Sequence, residues 1–213
     1  MGATRTALTL SLMVVMVAVR TRGDTAYPAH PARQLMPGIV RELAAGKLLI
    51  ASRDLPDGNF AETVILLADY GAGGAMGLIL NRQSDIPVSR AFPKLKAAPP
   101  DARIFVGGPV GTTKVVGLLR ARSPEKDVRH IVSDIFLVAE REPLEGLIGS
   151  GADARHFRVY FGYAGWAPGQ LEHEAVEGAW HVVSADPDLV FDPDPATIWQ
   201  REIRRTEGLM ARR

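Results

Sequence analysis

The chain has 213 residues, 46% of them hydrophobic and 23% charged, with a formal net charge of +1. That balance suits one globular domain with an appendage and excludes wholesale disorder, collagen and coiled coil. Cysteine is absent, which removes disulfides, thiolate nucleophiles and thiolate zinc sites.

Residues 1–35 carry Arg5, Arg20, Arg22 and Arg33 against Asp24 alone, so the remainder is slightly acidic. Duplex-binding domains usually show a basic face, so nucleic acid is not an expected partner. Residues 7–19 (ALTLSLMVVMVAV) are apolar apart from Thr9 and Ser11, and Arg5 precedes them. The run suits the apolar core of a secretory signal and is shorter than the ~20 residues that span a bilayer. Two features oppose cleavage. Asp24 spoils an A-x-A site before a cut after Ala26, and Arg20 and Arg22 place positive charge on the side to be translocated. Residues 1–23 are expected to be a signal-like or anchor segment, with membrane association through residues 7–19; the alternative is a start at Met36. Residues 24–37 (DTAYPAHPARQLMP) hold three prolines and no apolar period, which makes them a linker.

From Lys47 onward, short apolar runs alternate with glycine, proline and asparagine. Residues 47–51 (KLLIA), 63–70 (TVILLADY) and 75–81 (AMGLILN) predict strands, the last two joined through Gly71-Ala72-Gly73-Gly74 as a hairpin. Residues 103–106 and 114–119 predict a second pair around Gly107-Gly108-Pro109. Residues 134–138 and 157–163 complete the strands. Many runs are continuous rather than alternating, so both faces of the sheet should be covered. Helices are expected at 88–95, 142–148, 168–178 and 196–207, the third opening on proline and closing on glycine. The expected fold is α+β: one domain with a mixed sheet over residues 38–208, followed by a basic tail at 209–213.

The chemical motifs are weak. Gly71–Gly77 (GAGGAMG) puts Met76 where a dinucleotide loop needs its last glycine, and a strand follows it. Gly107–Lys114 (GGPVGTTK) separates glycine from lysine by two threonines, which leaves a turn, or at most a nest of amides for an anion. Glu172-His173-Glu174 is the densest titratable cluster. On a helix Glu172 and Glu174 point about 200° apart, while His173 and Glu177 share a face. No G-x-S-x-G elbow occurs, and the five histidines are scattered. Arg201, Arg204, Arg205, Arg212 and Arg213 are interrupted by Glu202 and Glu207, so pairing with those acids and with the helix dipole is the default. The stretch 157–166 (FRVYFGYAGW) supplies the largest apolar anchors; an exposed edge at 163–166 would instead be a binding surface.

Taken in order, KLLIA, Asp57-Gly58-Asn59-Phe60 with TVILL, GAMGLILNR, FVGGPV and FGYAGWAPGQLEHE with GAW closely resemble the YqgE/AlgH family. The resemblance spans residues 46–208 and is most specific in GYAGW-x-PGQLE. It implies an α+β fold with a bent, barrel-like sheet flanked by helices. It also implies a bacterial, usually cytoplasmic protein of no settled biochemical activity, whereas the N-terminal segment points to export or inner-membrane anchoring. One member is named as a transcriptional regulator of alginate production. Many members carry histidine where this chain has Arg120. The shared positions are mostly Gly, Pro and aromatic residues, which shape turns and fill cores.

The expected function is therefore a non-enzymatic binding or regulatory domain that takes a protein or a small ligand, with no catalytic residue, metal or cofactor. Asn81, Arg82, Gln170 and Glu172 are expected around a shared concavity, with Gly107 and Gly108 as further binding positions. The alternatives are a hydrolase or metal-dependent enzyme using Glu172 and His173, and a DNA-linked regulator working through the C-terminal arginines.

Overall fold

Leu48, Leu49 and Ile50 are fully buried in a strand, β1 (Lys47–Ala51), as their continuous apolar run requires. The computed structural model describes residues 42–95, 99–124 and 127–210; the expected signal or anchor and the linker lie outside these residues. β1 pairs antiparallel with β2 (Val64–Gly71), and β2 with β3 (Gly74–Ile79). Gly71 faces Gly74 across the turn, which is the hairpin that the glycines predict.

The chain continues through β4 (Gln83–Pro87), a single helical turn α1 (Val88–Ala91), β5 (Arg103–Val106), β6 (Val110–Arg120), β7 (Arg129–Val132) and β8 (Ile135–Val138). Then come helix α2 (Arg141–Gly149), β9 (Phe157–Trp166), helix α3 (Gln170–Val176), β10 (Trp180–Ser184), the short α4 (Pro187–Val190) and α5 (Ile198–Met210). The sheet runs β10-β1-β2-β3-β9-β6-β8-β7, with β5 beside β9 and β4 beside β5. It is mixed, since β5 and β9 are parallel and the other pairs antiparallel.

The sheet curls into a half-barrel. Trp180 on β10 and Trp166 on β9 are four strand positions apart, about 19 Å in a flat sheet, yet their ring centroids lie 6.1 Å apart. β9 makes the bend. Its first half pairs with β5 and β6, its last residues with β3, and Gly162 between them has φ +69°, a conformation that favours glycine. Both faces are covered. One core gathers β1–β3, α3 and α5; a second, under α2, holds Val138, Leu144, Ile148, Phe157 and Val159.

The expected hairpin around Gly107-Gly108-Pro109 does not form. β5 and β6 each pair with β9 rather than with one another. The glycines instead let the chain step across β9. A Cβ on Gly107 would stand 2.3 Å from the Gly162 carbonyl oxygen, and one on Gly108 2.2 Å from Tyr163 C. The helix expected at 88–95 shrinks to Val88–Ala91, and the one expected at 196–207 becomes Ile198–Met210.

Candidate functional site

The signature residues are tied to the scaffold. Asn81 Oδ1 accepts the Val64 N–H at 2.9 Å and its Nδ2 donates to the Glu62 carbonyl at 2.8 Å, which pins the loop before β2 to the end of β3. Gln170 accepts the Ala167 N–H at 3.1 Å and donates to Glu174 Oε1 at 2.9 Å. Glu172 accepts the Tyr70 hydroxyl at 2.6 Å, a bond that pushes the phenol up to about 12. Glu174 accepts the indole N–H groups of Trp166 and Trp180, each at 2.9 Å. Phe60 stacks on Trp166 at 5.9 Å and meets Trp180 edge-on. Trp166 is 4% exposed, so no open aromatic edge ends at that residue.

Arg82 is half-buried, its Nη2 3.4 Å from the Ala61 carbonyl, and desolvation lowers its pKa. Its own carbonyl accepts the Val106 N–H at 2.8 Å, and the Gly107 N–H donates to Phe161. Asn81 and Arg82 thus sit together at the 60–62 loop with Gly107 and Gly108 behind them, while Gln170 and Glu172 lie on α3. Phe60, stacked on Trp166, is the link between the two groups.

Glu172, His173 and Glu174 diverge, to Tyr70, to Glu177 at 3.3 Å and to the two tryptophans. Among the described residues no three His, Asp or Glu side chains are grouped as a metal would need. Of the C-terminal arginines, Arg205 pairs with Glu202 at 2.6 Å as expected, whereas Arg201 pairs with Asp192 and Glu207 is taken by Arg53. Arg120 bridges Asp134 at 3.0 Å and Asp188 at 2.6 Å, and these bonds raise its pKa further. No helix among the described residues is long and apolar enough to cross a membrane.

A concavity lies elsewhere. A cleft of about 420 Å³ opens where β5 and the start of β9 run side by side, lined by Arg103, Phe105, Asp153, Arg155, Arg158 and Pro193 among others. None of the six expected binding residues lines it. Arg158 is the unusual member. It is 5% exposed, on a strand otherwise apolar from Phe157 to Phe161. Its guanidinium lies 4.9 Å from the Phe105 ring centroid and 5.5 Å from that of Phe191, a position that attracts a cation to both rings. It donates to carbonyls: Nη1 to Val190 at 3.1 Å, Nη2 to Asp192, Nε to Ala154 at 3.4 Å. Its ion pairs number none within 4.0 Å among the described residues, unlike those of Arg155, whose bonds to Asp153 pull that carboxyl down to about 2.

Two residues along β9, the Tyr160 hydroxyl is buried with no hydrogen-bond partner. Burial pushes it up to about 12, opposed by the neighbouring Arg158 guanidinium. One signal for this site was present in the sequence: an arginine set inside a strand of aromatic and aliphatic residues has to find unusual compensation.

A family described as AlgH-like matches residues 48–211. A UPF0301 protein of Chlorobium luteolum is 35% identical over 170 residues, covering 79% of this chain and 88% of the relative. One of Streptomyces avermitilis is 35% identical over 178 residues, covering 78% and 88%. Among solved structures, the AlgH protein from Pseudomonas aeruginosa superposes with a TM-score of 0.62 at 29% identity, covering 83% of this chain and 93% of that one. Protein DIP2367 from Corynebacterium diphtheriae gives 0.66 at 26% identity, covering 76% and 87%.

Proposed function

This chain belongs to the AlgH-like family, and we propose that it is a non-enzymatic domain that holds a small ligand in the cleft between β5 and β9. The observation that carries this reading is a division of labour. The family's signature side chains are spent on the scaffold, while the cleft beside β5 and β9 is lined by residues outside that set. Ligand sites are typically preformed clefts of about 300–1,000 Å³, and this cleft has such a volume, with charged and apolar side chains mixed in its lining. A non-enzymatic role is supported by the dispersal of Glu172, His173 and Glu174 to three unrelated partners, since catalysis needs a nucleophile or base held by an orienting group. A regulatory role would follow if the ligand altered a partner's affinity.

Ala152 lines the cleft, and Ala152→Trp fills it. Native mass spectrometry of protein isolated from its own host should show a small-molecule adduct that Ala152→Trp removes. A wild-type protein without any adduct, or an adduct indifferent to that substitution, overturns the reading.

A further inference from the structure

We infer that the cleft takes a small carboxylate with an apolar body, its charged end paired with Arg158. The inference rests on the ligand-binding reading above and names the ligand's chemistry.

A buried charge is expensive unless it is compensated. The compensation of Arg158 is unusual: two aromatic faces and three backbone carbonyls, with no carboxylate. A guanidinium has five N–H donors. Three are directed at those carbonyls, which leaves one on each terminal nitrogen. A donor on each terminal nitrogen can serve the two oxygens of a carboxylate, the strongest pairing open to arginine. Of the two acids of the cleft, Asp153 is taken by Arg155 through both side-chain and backbone hydrogen bonds.

Charge and shape agree. The lining holds Arg103, Arg155 and Arg158 against Asp101 and Asp153, so one negative charge balances it. Among the described residues Arg103 donates to the Pro100 and Ala102 carbonyls. The remaining walls include Val88, Phe105, Ile148, Phe157 and Val159, from both cores, which suit an apolar body rather than a sugar or a nucleotide. A single monoanion fits this balance better than a phosphate ester with two charges.

The test titrates the full chain with octanoate, using octanamide as its uncharged counterpart and inorganic phosphate as an anion without an apolar body. Binding is read by calorimetry and by the amide NMR shifts of β5 and β9. Octanoate should bind at least tenfold more tightly than either control, shift the amides of Phe105 and Arg158, and lose at least tenfold in Arg158→Lys, which keeps the charge and loses the fork. Ala152→Trp, which leaves Arg158 in place, should abolish binding, so the test stands even if Arg158→Lys does not fold. Octanamide binding as tightly as octanoate, and still abolished by Ala152→Trp, overturns the carboxylate inference and leaves the ligand-binding reading intact. Octanoate bound equally by wild type and Ala152→Trp overturns both. Phosphate matching octanoate, or octanoate not binding at all, overturns the inference.

Discussion

Glu174 Oε2 accepts both the Trp166 and the Trp180 indole N–H, so one carboxylate oxygen joins the two limbs of the curled sheet. Both tryptophans are buried, at 4% and 1% exposure, and neither N–H has water to fall back on. Glu174→Ala should cost about 2–4 kcal/mol, the penalty of two unsatisfied buried donors. Glu174→Gln, which keeps an accepting oxygen, should cost about half as much. Urea midpoints read the difference, and tryptophan emission of the alanine variant should move to the red.

Gly107→Ala should cost about 3 kcal/mol or more, because its Cβ would stand 2.3 Å from a backbone oxygen that cannot retreat without opening β9. Gly58→Ala has nothing within 4 Å and should lie within about 0.5 kcal/mol of wild type. Thermal unfolding of the pair separates crossing glycines from loop glycines.

That contrast also marks how far the sequence could be read. The continuous runs KLLIA and VILLADY were legible as strands because both faces of the half-barrel are covered. β4 (QSDIP), β7 (RHIV) and β10 (WHVVS) were not: they are short, each pairs on a single side, and most of their residues stay partly open to solvent. The crossing at Gly107-Gly108 was misread because a glycine admitting a second backbone looks like a glycine admitting a turn. At the candidate site, the signature Asn81, Gln170 and Glu172 were legible as a set, and their engagement with the scaffold was not. Arg158 is visible in the sequence as a charge in an apolar strand, but the carbonyls of residues 190 and 192 that compensate it follow from no local pattern.

Alkaline pH should unfold the protein through Tyr70 and Tyr160. Both phenols are raised to about 12, Tyr70 mainly by its bond to Glu172 and Tyr160 mainly by burial. A phenol whose folded pKa exceeds its unfolded value near 10 favours the native state below pH 10. That contribution is lost between about pH 10 and 12, as the unfolded chain releases the proton first. Stability should therefore be level up to about pH 10 and fall above it. Tyr70→Phe and Tyr160→Phe should each flatten that fall, and phenolate absorbance should show the wild-type groups ionising late.

Arg120→His should cost about 1 kcal/mol, because an imidazole cannot span Asp134 and Asp188 together. Much of the network is exposed, so high salt should narrow the gap between variant and wild type in chemical denaturation.

β9 is flanked by β3, β5 and β6, all made long before it. A nascent chain that has not yet emerged past Trp166 presents all three of these strands with a vacant hydrogen-bonding side, open to any other extended polypeptide nearby. Closure joins segments distant in sequence, which makes assembly slow for a chain of this length. The late strand is thus both keystone and hazard: truncations ending before Phe157 should accumulate in inclusion bodies, while those that trim only residues 1–35 should not.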